Sequence, residues 1–271
     1  MQGIVATGLV GAVTNWGSEA RAVVAAGEQG GESVVIQAYK QLSTAQKGHA
    51  RGAPAYSVYV NRRIGRVLAA VAFRLGLTPN QVSVISAIHS FAAIILIAFA
   101  SVTVWMGILI AALLVLGYAW DSADGQVARL RGGGSPQGEW LDHFIDTVKI
   151  SSLHLAVLVG LFRAEPEGHL GLLFIPLVFS IVAATTFSGM LLNDLLKGKH
   201  GAVSTHERGG GTFVRSLILV PTDFGLVCLV FVLWGWRLGF LVGYGLLAAA
   251  AVAFLLLATV KWFREMGTLA P

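Results

Sequence analysis

Four aspartates between positions 121 and 146 are the side chains best suited to chemistry. They form two pairs, Asp121 with Asp124 and Asp142 with Asp146. Residues three or four apart share one face of a helix, so each pair projects from one side of its own helix. At about 6 Å and an effective dielectric constant near 20, each like-charged pair costs roughly 3 kcal/mol, so protons or cations must neutralise the group.

The ligand chemistry of this group favours a divalent metal. All four side chains offer carboxylate oxygens, and neither His nor Cys accompanies the first pair. Such ligands suit Mg²⁺ or Mn²⁺, and these ions usually complete their shells with phosphate oxygens. The four aspartates therefore predict metal-dependent chemistry on a diphosphate.

Small residues accompany the aspartates on the same helical faces. Gly125 and Ala128 share the face of the first pair, and Gly138 shares that of the second. Small residues allow a backbone or a ligand to approach closely. A purely structural role, in which salt bridges hold the helices together, is disfavoured because only Arg129 and Lys149 supply nearby positive charge.

The complete pattern resembles the signature of the CDP-alcohol phosphotransferase (CDP-alcohol phosphatidyltransferase) family. All eight fixed positions match without a gap. They are Asp121, Asp124, Gly125, Ala128, Arg129, Gly138, Asp142 and Asp146. The resemblance covers about residues 55–265 and includes Thr78-Pro79-Asn80, where Thr78 can cap a helix and Pro79 suits its first position. The first 50 residues lie outside it.

The resemblance implies a role for each matched residue. Asp121, Asp124 and Asp142 would be metal ligands. Asp146 would complete the metal site and act as general base toward an acceptor hydroxyl. The residues that would line the pocket for the cytidine diphosphate are Gly125, Ala128 and Arg129.

The implied reaction is transfer of a substituted phosphate from a CDP-linked donor to an alcohol, with release of CMP. The expected donor is CDP-diacylglycerol, which makes the protein an enzyme of phospholipid biosynthesis. A metal bridging the diphosphate would make CMP a better leaving group. Members with this signature commonly form homodimers, so a homodimer is expected here.

Composition places this site in a membrane. Of the 271 residues, 55% are hydrophobic and 12% are charged, whereas about a quarter of the residues in a soluble domain are charged. Mean hydropathy is +0.73. The net charge of +5 does not indicate nucleic acid, because the basic residues flank apolar runs and form no stripe. The single cysteine, Cys228, excludes a disulfide framework within the chain.

Six apolar runs are long enough to cross a bilayer, which needs about 20 residues. They are 80–103, 105–129, 138–162, 169–196, 214–235 and 239–263. The fold class predicted is therefore an all-α, polytopic integral membrane protein with six transmembrane helices.

Residues 55–76 alternate apolar and basic side chains. This pattern predicts an N-terminal amphipathic juxtamembrane helix on an anionic leaflet; a cytoplasmic helix packed on its own protein fits equally well.

Three segments follow from this pattern. Residues 1–54 are expected to form an N-terminal cytoplasmic extension that is either poorly ordered or folded into short helices. Residues 55–265 would form the membrane-embedded CDP-alcohol phosphotransferase domain, and 266–271 a C-terminal tail. The Gly-rich centre of the first segment motivates the expectation of loose order. Its apolar run at 4–13 lacks the basic residues that begin a signal peptide.

Basic residues set the orientation, because loops on the cytoplasmic side are rich in Lys and Arg. One face carries twelve such residues and the other carries Arg163 and Arg237 only. The twelve are Arg62, Arg63, Arg66, Arg74, Arg129, Arg131, Lys197, Lys199, Arg208, Arg215, Lys261 and Arg264. The expected location is the cell membrane, with several passes and the active site facing the cytoplasm.

Three further residues are candidates for acceptor binding. Lys149 is three residues beyond Asp146 and either binds a phosphate of the acceptor or pairs with the acidic group. Asp223 lies within the predicted fifth span, where an ionisable side chain is a functional candidate. Arg215 belongs to a basic group near the loop between the fourth and fifth spans, although topology alone also accounts for basic residues there.

Two rival functions stay open at this point. One is transfer from CDP-choline or CDP-ethanolamine to diacylglycerol, and the other is transport of divalent cations at the carboxylates. The acceptor also stays open among inositol phosphate, glycerol phosphate, serine, another lipid and a simple polyol. Metal-dependent CMP release separates the enzyme from the transporter.

The predicted topology can be tested by labelling cysteines in intact cells. In a Cys228→Ser background, Gly134→Cys should resist an impermeant reagent, because residues 130–136 are expected on the cytoplasmic side. A cysteine within 164–168 should be labelled in the same cells and is the positive control. External labelling at position 134 would refute the orientation.

Overall fold

The computed structural model describes residues 33–44, 54–165, 170–202, 216 and 219–269. All regular structure within those residues is helical. The helices are α1 (Val34–Thr44), α2 (Arg62–Arg74), α3 (Pro79–Phe99), α4 (Val104–Leu130), α5 (Pro136–Ala164), α6 (Phe174–Lys199), α7 (Phe224–Val230) and α8 (Arg237–Met266). A single turn at Leu170–Leu173 leads into α6, and the predicted all-α class is confirmed.

Five of these segments are long and apolar enough to span a membrane. They are α3, α4, α5, Leu170–Lys199 and α8. Their bounds lie within a few residues of five of the six predicted runs, and the protein is a multi-pass membrane protein. The count of six is a prediction that the described residues leave open.

The predicted run at 214–235 is not one continuous helix over its described part. A short turn at Val220–Thr222 precedes Asp223, whose backbone is extended at φ −79° and ψ 128°. A new helix, α7, begins at Phe224 and gives way to a tighter turn at Phe231–Leu233. Asp223 therefore lies at the start of a helix. Proline and an aspartate cap interrupt a run that hydropathy alone joins.

Local sequence signals explain how α2 ends and α3 begins. Gly76 adopts φ 76°, which favours glycine at a helix end. Thr78 Oγ1 accepts from the Gln81 backbone N–H at 3.3 Å, and the Thr78 N–H donates to Gln81 Oε1 at 2.8 Å. This reciprocal capping box places Pro79 at the first helical position. The helix start predicted at Thr78-Pro79 is confirmed.

Contacts divide the described chain into two compact units. The first contains the described residues of Met1–Lys47, Val60–Ile88 and Gly117–Phe144. In this unit, small side chains of α2 form a core with α1, α3 and the end of α4. The outer side of α2 presents a row of exposed apolar side chains, Ile64, Val67 and Val71. Helix α2 is therefore amphipathic as predicted, and its place on a leaflet stays a prediction.

The second unit contains the described residues of Gly48–Tyr59, His89–Leu116 and Ile145–Pro271. Its core is rich in aromatic rings. Phe240 stacks on Tyr244 with ring centroids 5.2 Å apart, and Trp234 meets Phe240 edge-on at 4.8 Å. His154 Nδ1 is 2.6 Å from the Tyr244 hydroxyl oxygen, so the buried histidine has a hydrogen-bond partner inside the core.

Two glycines permit close packing in the second unit. A Cβ at Gly107 would lie 2.6 Å from the Phe231 carbonyl oxygen and 2.9 Å from Trp234 Cβ. A Cβ at Gly160 would overlap the Ile97 carbonyl oxygen and touch the Trp234 ring. Helices without side chains at the contact can approach each other more closely. The absence of side chains at these two glycines therefore lets α4 and α5 pack closely against the segment that carries Trp234.

Replacing Gly160 by alanine should lower the thermal stability of the protein. The new methyl group would collide with a backbone oxygen that cannot rotate away, and such overpacking costs about 1–3 kcal/mol. Gly198, in the last turn of α6, has open space around it, so Gly198→Ala is the matched control and should be neutral or slightly stabilising. Thermal unfolding in detergent would measure both variants, and equal melting temperatures would contradict the packing described here.

Candidate active site

The polar half of α4 has a buried side and an open side. Ala123, Val127 and Leu130 are fully buried in the core of the first unit. On the opposite side Gly125 and Arg129 are exposed. Because one face of the helix is held by apolar contacts, the polar face is presented to incoming molecules.

Asp124 is the most enclosed of the four aspartates, with 8% of its surface exposed. Its Oδ2 accepts a hydrogen bond from the Ser83 hydroxyl at 2.6 Å. Its Oδ1 accepts from the Gly125 backbone N–H at 2.5 Å. Each carboxylate oxygen has two lone pairs, so these bonds fix the side chain and leave acceptor capacity for a metal.

Side chains of the first unit also hold the backbone of α4. Ser86 Oγ donates to the Gly117 carbonyl oxygen at 2.8 Å, and Asn61 Nδ2 donates to the Tyr118 carbonyl oxygen at 3.2 Å. These bonds come from α3 and from the turn before α2. They fix the register of α4 just before Asp121, where the acidic residues begin.

A glycine turn brings the start of α5 back along α4. Gly132 and Gly133 have φ values of 94° and 131°, a region that favours glycine. The Gly133 N–H donates to the Ala128 carbonyl oxygen at 2.8 Å and ends α4. Ser135 Oγ accepts from the Gly138 N–H at 3.1 Å and caps α5. This tight connection makes the two polar helical halves neighbours.

Asp121 and Asp142 converge as this geometry requires. Asp121 and Asp142 each offer a carboxylate oxygen, and these two oxygens lie within 4.8 Å of each other. Asp146 follows Asp142 by one turn of the continuous helix α5, and its oxygen lies within 4.8 Å of that of Asp142. We call Asp121, Asp142 and Asp146 the acidic trio. All three are half-buried.

Lys149 supplies positive charge next to the acidic trio. Its Nζ lies 2.5 Å from Asp146 Oδ1. One ammonium cannot balance three carboxylates, and at this spacing each like-charged pair costs roughly 3 kcal/mol at a dielectric constant near 20. A group of oxygen ligands with excess negative charge suits a divalent cation. The residues present therefore fit the divalent metal that the sequence predicts.

The residues predicted to line a nucleotide pocket lie on and beside the open face of α4. A Cβ at Gly125 would meet only Arg129 Nη1, at 3.9 Å, so a ligand can approach the backbone there. The Arg129 side chain is exposed, whereas Ala128 is buried. This arrangement leaves a guanidinium and an open backbone surface beside the aspartates of α4.

The three candidates for acceptor binding have different surroundings. Asp223 is 1% exposed, and both of its oxygens accept backbone hydrogen bonds at 2.9 Å, from Gly225 and Ser57. Lys149 is buried against Asp146. Arg215 lies outside the described residues. Two of the three candidates are thus bound to partners within the protein.

Sequence reasoning did not find the side chains that support the aspartates. Ser83 was missed because its partner Asp124 is 41 positions away, and a serine inside an apolar helix has no distinctive local pattern. Phe224, whose ring faces Lys149, was missed for the same reason. Only the helix start at Thr78 and Pro79, one turn before Ser83, gave any local signal.

Comparison with known proteins identifies the class. Residues 76–261 match the sequence model of the CDP-alcohol phosphatidyltransferase family. The chain belongs to this family, and it is an enzyme of the phosphatidyltransferase type that acts in phospholipid synthesis. The family uses divalent metals, in agreement with the carboxylates that the acidic trio offers.

Solved structures provide individual comparisons. A crystal structure of Mycobacterium tuberculosis phosphatidylinositol phosphate synthase (PgsA1) with CDP-DAG bound is 22% identical, with a TM-score of 0.47; the match covers 77% of this chain and 94% of that one. The same enzyme in complex with manganese and citrate is 22% identical, with a TM-score of 0.46 and coverage of 74% and 88%. A search of curated proteins found no match.

Replacing Asp121 by asparagine should abolish high-affinity metal binding, because a neutral amide is a much weaker ligand than a carboxylate for a hard cation. Isothermal titration of the purified, metal-free protein with Mn²⁺ would measure the change. The variant should be at least as stable as the wild type without metal, since one carboxylate repulsion disappears. Glu139→Gln removes an exposed charge from the same region and is the control. Unchanged Mn²⁺ affinity in a folded Asp121→Asn protein would refute the proposed ligand.

Proposed function

We propose that this enzyme transfers the phosphatidyl group of CDP-diacylglycerol to the hydroxyl group of an acceptor and releases CMP. The observation that carries the proposal is the acidic trio next to the open, basic face of α4. A diphosphate needs positive charge, and the carboxylates bind the metal that supplies it. Membership of the family supports the same reaction.

The choice of donor rests on where the site lies. The aspartates occupy the polar ends of helices whose other halves are apolar enough to span a membrane. A lipid-linked donor can reach such a site from the leaflet with its acyl chains still in lipid. CDP-diacylglycerol meets this requirement, and it is also the ligand in the crystal structure of the synthase compared above.

We assign each site residue a task in this reaction. Asp121, Asp124 and Asp142 hold the metal, which when bound draws charge from the diphosphate and stabilises the departing CMP. The exposed guanidinium of Arg129 and the open backbone at Gly125 bind the nucleotide, with Ala128 behind them.

Asp146 completes the site and takes the proton of the acceptor hydroxyl as the new oxygen–phosphorus bond forms. The bond between phosphorus and the CMP oxygen breaks, and CMP leaves with the electron pair. These changes account for every bond and proton, and phosphatidyl transfer needs no further reactant. A carboxylate in hydrogen-bond reach of the hydroxyl is the usual arrangement for such a proton transfer.

The finer identity of the metal and the setting of the site are also proposals. The metal is Mg²⁺ or Mn²⁺, because the ligands are carboxylate oxygens only. The enzyme resides in the cell membrane with its active site on the cytoplasmic face, in accord with the concentration of Lys and Arg there. It acts as a homodimer, as family members with this signature commonly do.

Asp146→Asn should separate donor binding from transfer. The variant should still bind CDP-diacylglycerol with metal, because three carboxylates remain to hold the ion. Transfer should fall by about 10²–10⁴-fold, since asparagine cannot accept the proton of the hydroxyl. Metal-dependent CMP release from CDP-diacylglycerol, measured in detergent with a panel of acceptors, tests the wild type and the variant together.

Other outcomes of this experiment would overturn the proposal. Metal uptake into vesicles without CMP release would identify a cation transporter. Release of CMP from CDP-choline or CDP-ethanolamine, with diacylglycerol as acceptor, would identify the other donor class. If donor binding and turnover fall together in Asp146→Asn, that residue is chiefly a metal ligand and another group is the base.

A further inference from the structure

Lys149 occupies a place that the proposed reaction does not explain. Only 3% of its surface is exposed, and its Nζ is 2.5 Å from Asp146 Oδ1. A buried ammonium is strongly unfavourable unless it is paired. One oxygen of the proposed base is therefore engaged by a side chain of the protein itself, one helical turn further along α5.

The ammonium of Lys149 also lies near an aromatic ring. The Nζ of Lys149 lies 5.6 Å from the centroid of the Phe224 ring. A cation over an aromatic face is attracted by the electron density of the ring, and more strongly where water is excluded. Because the lysine stem is flexible, contacts from two different helices are needed to hold its end in one place. Asp146 provides one contact and α7 provides the other.

Phe224 is in turn held by the start of α7. Asp223 accepts from the Gly225 N–H through Oδ1 and from the Ser57 N–H through Oδ2, at 2.9 Å each. It thus caps α7 and ties the segment before α2 to it. The Tyr56 ring rests on Gly225, where any side chain would overlap it. The first residue of α7 is therefore fixed by the residues on both sides of it.

We propose that Lys149 is a positioning residue for Asp146, and that Phe224 and Asp223 set its place. This inference rests on the proposed function and assigns Lys149 to the same site. By holding Oδ1 of Asp146, the ammonium keeps that carboxylate from turning both oxygens toward the metal. The second oxygen is left to face the acceptor hydroxyl. Asp146 is thereby kept as a proton acceptor and not as one more equal ligand.

The same contacts argue against Lys149 as a ligand for an acceptor phosphate. The ammonium already has a carboxylate and an aromatic ring as neighbours, and almost none of the Lys149 surface is accessible. Binding a phosphate would require it to leave Asp146 and expose the buried pair. An ammonium enclosed in this way is better suited to orient its neighbour than to receive a substrate.

The test compares Lys149→Met with the wild type in the full-length protein. The variant should lose about 10- to 100-fold in kcat, because the carboxylate of Asp146 would be displaced from its productive position. The KM for the donor should not change. Mn²⁺ affinity, measured without substrate, should stay the same or increase, because a competing positive charge has gone. Phe224→Leu keeps an apolar side chain without the ring and should give a smaller fall in kcat.

Tyr244→Phe is the control, because it removes another buried polar contact in the same unit, the one to His154 on α5. It should lower thermal stability without lowering kcat. The proposal fails if Lys149→Met keeps wild-type kcat, if its kcat and Mn²⁺ affinity fall together, or if only the acceptor KM rises. Should Lys149→Met not fold, Phe224→Leu decides by the same criteria.

Failure of the proposed function is distinguishable from failure of this inference. If the wild-type protein releases no CMP from CDP-diacylglycerol, the proposed function is wrong. The comparison of Mn²⁺ affinities needs neither donor nor acceptor, so it still tests whether the ammonium holds Asp146 away from the metal. Weaker Mn²⁺ binding by Lys149→Met would overturn that arrangement, and equal or tighter binding would support it.

Discussion

Repulsion among carboxylates is the constraint on which the rest of this structure depends. Asp121 and Asp142 bring carboxylate oxygens close together, and Asp146 follows Asp142 by one turn of the same helix, in a protein whose helices are otherwise suited to lipid. Such a group is stable only with compensating positive charge. Lys149 supplies part of it, and a divalent cation is suited to supply the rest. The need for that cation is what links this fold to chemistry on a diphosphate.

The hairpin of α4 and α5 holds the aspartates in place against their mutual repulsion. Apolar residues bury one side of α4. Ser83 donates a hydrogen bond to Asp124, and Ser86 and Asn61 donate hydrogen bonds to the α4 backbone. Glycines in the connecting turn let α5 return directly alongside. Because these contacts act on the backbone and on buried groups, the aspartates keep their positions although their carboxylates repel one another. A preorganised site of this kind loses little free energy in reordering when its ligands arrive.

Charged residues in this protein divide into those that face ligands and those that hold other residues. Asp223 would be a functional candidate by its chemistry alone, yet both of its oxygens accept backbone hydrogen bonds. Arg129 has a less conspicuous setting, yet it is exposed beside Gly125. The difference lies in their partners. An ionisable side chain inside a membrane protein must be compensated, and a backbone N–H can do this as well as a substrate.

The sequence by itself determined the all-helical class, five spans within a few residues, the helix start at Thr78 and the acidic pattern, because these depend on composition and on spacing along one helix. The tertiary structure alone decided that Asp223 begins a helix within a run that hydropathy joins, and that Ser83 and Phe224 support the site. It also paired Lys149 with Asp146, one of two readings that the sequence left open. Contacts between helices distant in sequence leave no periodic signal, since they depend on how the chain packs.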